Sequence, residues 1–460
     1  MIENSNKHNT DINNLNVTII GLGKSGEGAA NLAHFLGASV FVSDANFNPD
    51  IKKRSNSLES IGIEVEIGNH TNKIFDGELW VLSPGVSQDS PVVKEAKSKG
   101  IPVISEIEFA SWYADYPIVS VTGSNGKTTT VNLINNMCNT NSFNPILGGN
   151  VGTAFSDIIL NDLKNKPNNR IYILEISSFQ LEHIFSFKPF ISVFLNITPD
   201  HLDRYSSMSE YVKAKLDMVK NQNEKDHIVF NLDDTTLNKE LRNLKPQTHG
   251  FSIEKKNQTM FNVNATKICT DEKIKLIDLE ELSLPGKHNL SNALAAATVS
   301  RLIGIPNHQI KKIMSNFSGV EHRLEYVMEI EGVSYYNDSK ATNLDSVKVA
   351  LDSFDQNILL LMGGKDKGGN FVDIIPHFKD KVKKIITFGQ ASDKISIALR
   401  DAVRLKKVKD LRGAVEFCHL NAVPGDIVLL SPGCASFDQF PNFEKRGFEF
   451  KKLVKKIATA

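Results

Sequence analysis

The sequence predicts an α/β fold in three domains, built on largely parallel sheets. Two observations carry this. Short β-branched and apolar runs alternate with longer stretches of helical pattern along most of the chain. Strands that alternate with helices pair in parallel through helical crossovers. The chain has 460 residues, and roughly 150 residues per domain gives about three domains.

Taken in order, Met1 to about Asn16 is polar and Asn-rich and lacks the apolar centre of a secretion signal. It reads as a frayed tail. Val17–Ile20, Val40–Ser43 and Leu79–Leu82 read as buried strands of a first domain. A seam falls near Ser105–Tyr116, just before the strand Pro117–Thr122. Ile171–Leu174 and Ile191–Ile197 continue a second domain. A second seam falls near Ser318–His322, where Phe317-Ser318-Gly319 closes a helical pattern. Ile358–Met362, Ile385–Phe388 and Ile427–Leu430 give the last domain its strands. The expected domains are 1–107, 108–319 and 320–460.

Composition removes several function classes. Lys plus Arg equals Asp plus Glu, 53 each, which argues against a nucleic-acid protein held by a broad basic face and leaves local anion sites open. Hydrophobic residues make up 41%, enough for real cores. The four cysteines, Cys138, Cys269, Cys418 and Cys434, are scattered and form no CxxC pair. That pattern fits reduced thiols rather than a disulfide framework or a zinc site. No apolar run approaches the ~18–20 residues that cross a bilayer. The expectation is a cytoplasmic protein with no membrane or nucleic-acid partner. No coiled-coil pattern demands assembly, so a monomer is expected.

Two glycine loops carry the chemistry. The stronger is Gly123-Ser124-Asn125-Gly126-Lys127-Thr128-Thr129, between the strand Pro117–Thr122 and a helical run over Thr128–Cys138. Glycines let backbone N–H groups turn inward onto phosphate oxygens, and the helix start adds partial positive charge. Lys127 would reach the terminal phosphates, and the Thr128 hydroxyl would sit on Mg²⁺. The loop is two residues shorter than GxxxxGK[ST]. Glu175 follows the strand Ile171–Leu174 at its C-terminal end, where open α/β sheets gather ligands. A carboxylate there can hold Mg²⁺; alone it would be an ordinary rim residue. The second loop, Gly21-Leu22-Gly23-Lys24-Ser25-Gly26, follows Val17–Ile20, and Asp44 stands at the spacing of a ribose-binding acid. No hydride-transfer site follows, so the inference is a pyrophosphate or nucleotide site.

Six segments, in order, resemble the Mur ligases. They are GSNGKT at 123–128, ESSxQ-like Glu175–Gln180, Asn196-Ile197-Thr198-Pro199-Asp200-His201-Leu202-Asp203-Arg204, Gly286–Ala293, His322-Arg323 with Asn337–Asn343, and the C-terminal Leu430–Phe440 with Asn442–Gly447. The last looks like the branch that adds D-glutamate; the DNPR segment of the diaminopimelate-adding branch is absent. The resemblance implies a UDP-binding Rossmann-like first domain, a central P-loop ATPase-like domain and a Rossmann-like C-terminal domain. It implies ATP-driven addition of D-glutamate to UDP-N-acetylmuramoyl-L-alanine through an acyl phosphate, with Mg²⁺.

The resemblance also implies residue roles. Gly123 to Thr129, Asn292, Arg323 and Asp338 match ATP contacts. Thr128, Glu175, His201 and Lys215 match metal-site positions, Lys215 as a carbamylated lysine. Without the resemblance Lys215 reads as a solvated helix lysine, because lysine is rarely buried. Lys24, Ser25, Asp44, Ser83, Pro84, Gly85, Asn150 and Gln180 match UDP-sugar contacts. Ala45 and Asn46 depart from the pattern, which has Thr and Arg near the uracil and phosphates. Thr342, Lys367, Ser436 and the Phe443 backbone match the D-glutamate pocket, whose ligand's two carboxylates need cations and donors. Lys365 adds a charge to that pattern.

The nearest competing reading is another amide ligase of the superfamily, similar to folylpolyglutamate synthetase. The GxGxxG domain and the Ser436–Arg446 segment speak against it. A small-molecule kinase built on the phosphate loop, or a non-catalytic nucleotide sensor, belongs to other classes. A kinase would leave a stable phosphorylated product, and a sensor would not turn over.

Overall fold

A computed structural model describes residues 10–199, 204–205, 207–254, 259–284, 286–317, 319–355, 357–378 and 381–459. The chain divides into two compact units, Met1–Leu282 with Ser291–Asn316, and Ser283–Leu290 with Phe317–Ala460.

The first unit holds two parallel sheets. One is built from β1 (Asn16–Ile20), β2 (Ser39–Asp44), β3 (Glu64–Ile67), β4 (Leu79–Leu82) and β5 (Val103–Ser105), in the order β3-β2-β1-β4-β5. The other is built from β6 (Ile118–Thr122), β7 (Asn144–Gly149), β8 (Arg170–Glu175), β9 (Ile191–Phe194), β10 (His227–Asn231) and β11 (Gln247–Phe251). Its order is β11-β10-β9-β6-β8-β7. A small antiparallel sheet of β12 (Phe261–Val263), β13 (Lys267–Thr270) and β14 (Lys275–Asp278) follows. The second unit has β15 (Glu325–Ile330), β16 (Val333–Asn337), β17 (Ile358–Gly363), β18 (Val382–Phe388), β19 (Leu405–Lys407) and β20 (Ile427–Leu430). Their order is β15-β16-β20-β17-β18-β19, with only β15 antiparallel.

The central strands are apolar on both faces because helices cover both faces of a parallel sheet. Every residue of β6, β17 and β20 is buried. Two edge strands carry charge, Glu64-Val65-Glu66-Ile67 and Leu405-Lys406-Lys407, which discourages further pairing. Each expected strand falls on an observed one. The run expected to reach Ile197 leaves the ladder after Phe194, because the residues that follow are drawn to the phosphate loop.

The two sheets of the first unit share a core that includes Ile19, Ala33, Phe109, Phe155 and Tyr172. The helix Lys24–Phe35 approaches the helix Phe155–Asn165 closely at Gly28, where a Cβ would lie 3.0 Å from the Asp157 carboxyl group. The N-terminal stretch is tied down from Thr10, which corrects the frayed reading for that part. Ile12 is buried in the core and the Tyr113 hydroxyl donates to the Thr10 carbonyl at 2.8 Å. Residues 1–9 lie outside the described ones.

The expected boundary at 107/108 falls inside a buried helix, Glu106–Ser111. Glu108 there accepts the backbone N–H groups of Phe185, Ser186 and Phe187 at 2.8–2.9 Å. Glu106 accepts the Ser156 N–H at 2.6 Å, and burial pushes its carboxyl group up to about 7. The folded state therefore holds a proton that the unfolded chain releases, from about pH 4.5 to 7. The stability this proton confers is complete below that window and is lost as pH rises through it. Glu106→Gln cannot titrate. Urea unfolding should show wild type losing up to about 3 kcal/mol relative to Glu106→Gln across the window, then levelling. A flat difference would refute the assignment.

Candidate active site

The phosphate loop connects β6 to the helix Lys127–Cys138. Gly126 has φ 85°, and a Cβ there would lie 2.3 Å from Asn292 Oδ1. Both facts require glycine, and the second places Asn292, on the helix Lys287–Ile303, directly against the loop. Lys127 Nζ lies across the loop and donates to the Gly123 carbonyl at 2.5 Å and the Ser124 carbonyl at 2.9 Å. Thr128 and Thr129 are buried in the first helical turn. Thr128 Oγ1 donates to Glu175 Oε2 at 2.7 Å, and Asn150 Nδ2 donates to Glu175 Oε1 at 2.8 Å. Glu175 reaches this position because β8 pairs with β6, Glu175 opposite Val121.

Lys215 stands on the helix Met208–Leu216 and is only 2% exposed. Its Nζ lies 3.3 Å from the Gly123 carbonyl, 3.5 Å from Thr122 Oγ1 and 4.7 Å from the Tyr211 ring centre. The solvated-helix reading of this lysine is thus corrected: helix packing turns it inward under the loop. His201 lies outside the described residues. Thr128 and Glu175 present adjacent buried oxygens at the end of a phosphate loop. That donor set suits Mg²⁺, which takes one or two protein oxygens and completes its shell with phosphate and water.

Three residues beyond the expected set, Asn196, Thr198 and Tyr211, shape this loop. Asn125 N–H donates to Asn196 Oδ1 at 2.8 Å, and Asn196 Nδ2 donates back to the Asn125 carbonyl at 3.2 Å. The Ser124 hydroxyl accepts the Thr198 N–H at 2.9 Å and contacts the Tyr211 hydroxyl at 3.1 Å. Asn196 and Thr198 lay within the Asn196–Arg204 motif, which was the available signal.

The second loop joins β1 to the helix Lys24–Phe35. A Cβ at Gly26 would lie 1.9 Å from the Gly21 carbonyl oxygen, so the turn closes only on glycine. Lys24 is exposed and Ser25 half-buried at the helix start. Asp44 Oδ2 accepts the Leu22 N–H at 2.7 Å. Its Oδ1 accepts Asn46 N–H at 2.8 Å and Nδ2 at 3.1 Å. Ser83 Oγ donates to the Gly21 carbonyl at 2.8 Å, and Pro84 and Gly85 follow on the more exposed side. Arg204 donates to the carbonyls of Pro84 and Val86 at 3.1 Å and to Glu182 at 2.6 Å. It also stacks on Phe179, 4.2 Å from the ring centre. It thereby ties the first sheet's loop to the second sheet's Glu175–Leu181 turn. Gln180, 1% exposed, accepts the Ser177 N–H at 2.9 Å through Oε1.

The second unit holds the remaining expected residues. Asp338 is buried after β16 and accepts the Leu324 N–H at 3.2 Å and the Ser431 hydroxyl at 2.8 Å. Burial pushes its carboxyl group up to about 7, against the pull of Ser431 and Arg323. Arg323 is bracketed by left-handed backbone at His322 (φ 66°) and Leu324 (φ 43°). Lys367 Nζ donates to Thr342 Oγ1 at 3.4 Å. Lys365 is exposed, and its backbone bridges Ala435. Ser436 is buried, and Phe443 begins the helix Phe443–Ile457 with its carbonyl accepting Ser339 Oγ at 2.8 Å. Arg446, fully buried, donates to the Ser339 carbonyl at 2.8 Å and the Cys434 carbonyl at 3.0 Å. It binds the Ser339 turn to the loop carrying Ser436. It stood in the C-terminal motif without a role of its own.

Comparison with known proteins agrees across the chain. Residues 15–105 match the Mur ligase MurD-like N-terminal domain, 121–300 the Mur ligase middle domain, and 322–434 the Mur ligase glutamate ligase domain. A UDP-N-acetylmuramoylalanine–D-glutamate ligase of Christiangramia forsetii is 40% identical over 96% of this chain and 99% of its own length. One from Koribacter versatilis is 39% identical over 97% and 99%. Among solved structures, the UDP-N-acetylmuramate-alanine ligase of Thermotoga maritima superposes with a TM-score of 0.61 at 16% identity, covering 96% of this chain and 100% of that one. The MurF ligase of Thermotoga maritima in complex with ADP gives 0.60 at 17% identity, covering 97% of each chain. The parallel sheets, the two glycine loops and the near full-length identity lead to one conclusion: this chain belongs to the Mur ligase family.

Proposed function

We propose that the chain joins D-glutamate to UDP-N-acetylmuramoyl-L-alanine at the expense of ATP, in peptidoglycan precursor synthesis. The observation that carries this is the 37–40% identity, over nearly the whole chain, to relatives bearing that activity in their name. The activity would serve cell wall biogenesis, and through it cell shape and cell division. The protein would work as a cytoplasmic monomer; among the described residues no helix is long and apolar enough to cross a membrane.

The reaction fits the chemistry of the residues. A free carboxylate is a poor electrophile. Its attack on the γ-phosphorus of ATP releases ADP and leaves an acyl phosphate with a good leaving group. The D-glutamate amine then attacks the carbonyl carbon, and phosphate departs as the amide forms. Bringing anions together requires neutralisation and in-line placement. Lys127 would supply a cation to the transferring phosphate, while the backbone of Gly123–Thr129 and Asn292 would orient the nucleotide. Thr128 and Glu175, with His201 and carbamylated Lys215, would hold Mg²⁺, which when bound spreads the phosphate charge. Arg323 and Asp338 would take the rest of ATP. Lys24, Ser25, Asp44, Ser83, Pro84, Gly85, Asn150 and Gln180 would bind the UDP-sugar. Thr342, Lys367, Ser436 and the Phe443 backbone would bind the two carboxylates of D-glutamate. The domain limits 1–107, 108–319 and 320–460 belong to the same proposal.

The test is phosphate release from ATP and Mg²⁺ with UDP-N-acetylmuramoyl-L-alanine, adding D-glutamate, L-glutamate or other amino acids in turn. Stimulation by D-glutamate alone, with product heavier by one glutamyl residue, is the expected result. Stimulation by a different amino acid would keep the ligase and overturn the pocket assignment. Stable phosphorylated product without an amine would point to a kinase instead.

A further inference from the structure

We propose that Phe47 is the platform on which the base of the UDP-sugar stacks; this rests on the substrate reading above. Open α/β sheets bind ligands outside the C-terminal ends of their strands. In the first sheet those ends carry Gly21–Gly26 after β1, Asp44 after β2, Gly68 after β3 and Ser83 after β4. A diphosphate needs N–H donors and a helix start, which the loop after β1 supplies. A ribose held at the end of β2, where Asp44 stands, would direct the nucleoside toward β2 and then β3, the strands on that side of β1. Phe47 stands there.

Its setting is unusual for an exposed aromatic. The residue is 71% exposed, yet its backbone is pinned on both sides. Asn46 donates through N and Nδ2 to the Asp44 carboxylate at 2.8 and 3.1 Å. Asn48 caps the helix Pro49–Glu59 by accepting the Ile51 N–H at 3.0 Å. Beside it the chain turns at Gly68, φ 98°, which is held to β2 by its N–H on the Asp44 carbonyl at 2.9 Å. A Cβ built on Gly68 would find only Phe47 Cβ within 4.0 Å, so the space next to Phe47 is open.

Charge points the same way. Ala45 and Asn46 bring no cation to this edge, and both oxygens of Asp44 already accept protein donors. A neutral flat base is then best held by stacking on an aromatic ring whose backbone is already held in place. Truncating a stacking aromatic weakens nucleobase binding by about tenfold.

The experiment is calorimetric titration of full-length wild type, Phe47→Ala, Phe47→Leu, Phe47→Tyr and Phe47→Trp with UDP. It is paired with KM and kcat for UDP-N-acetylmuramoyl-L-alanine, and with thermal unfolding of each variant. The expected result is a UDP Kd and sugar KM raised about tenfold in Phe47→Ala, with kcat within about twofold. Phe47→Leu should be impaired, Phe47→Tyr and Phe47→Trp near wild type, and Tm unchanged because the ring is exposed. Unchanged UDP binding in Phe47→Ala would overturn the platform, as would Phe47→Leu equal to wild type. If wild type itself neither bound UDP nor used the sugar, the functional reading would fall and the platform with it. Wild-type binding with an indifferent Phe47→Ala would overturn the platform alone.

Discussion

Lys127→Ala is expected to lower kcat for D-glutamate-dependent phosphate release by about a thousandfold at saturating ATP. The reasoning starts from where the ammonium lies. Its acceptors include the carbonyls of Gly123 and Ser124, both within the phosphate loop. Carbonyls are neutral, and a polyphosphate is not. A phosphate entering the loop offers Nζ a charge-assisted partner of roughly twice the strength, with little movement of the side chain's base. The cation is then next to the group whose charge spreads in the transition state. Loss of such a contact shows in kcat, whereas loss of a contact made equally in the ground state shows in KM.

Two controls separate chemistry from loop collapse. Lys127→Arg keeps the charge but replaces a compact ammonium with a planar fork, so it should recover only part of the activity. Thermal unfolding shows whether Lys127→Ala relaxes the loop, since the side chain bridges two of its carbonyls. A fall confined to KM for ATP, with kcat within about tenfold of wild type, would reassign Lys127 to simple binding.

Most central strands and the phosphate loop were legible in the sequence for the same reason, although β10, between β9 and β11, was not marked. Each is determined by neighbours in the chain. Ile427–Leu430 is apolar without interruption, and Val17–Ile20 and Pro117–Thr122 admit only small hydroxyl residues, because both faces of their strands are buried. Edge strands were not legible. β3 interleaves glutamates, β7 contains Pro145 and two glycines, and β11 reads Gln247-Thr248-His249-Gly250-Phe251. Their strand state comes from the partner alongside, not from their own pattern. The β15–β16 pair was missed likewise, its outer strand only partly buried.

The site divided along similar lines. Glycine positions and their glycine-only geometry at Gly26 and Gly126 could be read locally. The bonds from Asn196 to Asn125 and from Arg204 to Pro84 span 71 and 120 residues, and no local pattern encodes them. Lysine and arginine were the most misleading residues. Lys215 read as a solvated helix lysine and Arg446 had no role of its own, yet both are buried against backbone carbonyls. Carbonyl oxygens around a cation leave no trace in side-chain composition.

Lys215→Ala should lose activity by about a hundredfold or more, and the pattern of the loss should identify the chemical state of the lysine. A bare ammonium here would stand 3.3 Å from the Gly123 carbonyl and add positive charge beneath the phosphate loop. A carbamate would instead put an anion there, formed when the neutral amine adds CO₂ and releases a proton. That anion is tolerated only with a cation between it and the phosphates, which is the place proposed for Mg²⁺. The two states predict opposite responses. If the carbamate forms, wild type stripped of CO₂ slows and bicarbonate restores it, while Lys215→Ala ignores bicarbonate. Lys215→Arg keeps a cation but cannot take up CO₂ in this way, so it should be as impaired as alanine. If the ammonium itself is the working species, bicarbonate has no effect and arginine recovers part of the rate. Wild-type activity in Lys215→Ala, with both proteins indifferent to bicarbonate, would remove the residue from the mechanism and leave its burial to packing against Tyr211.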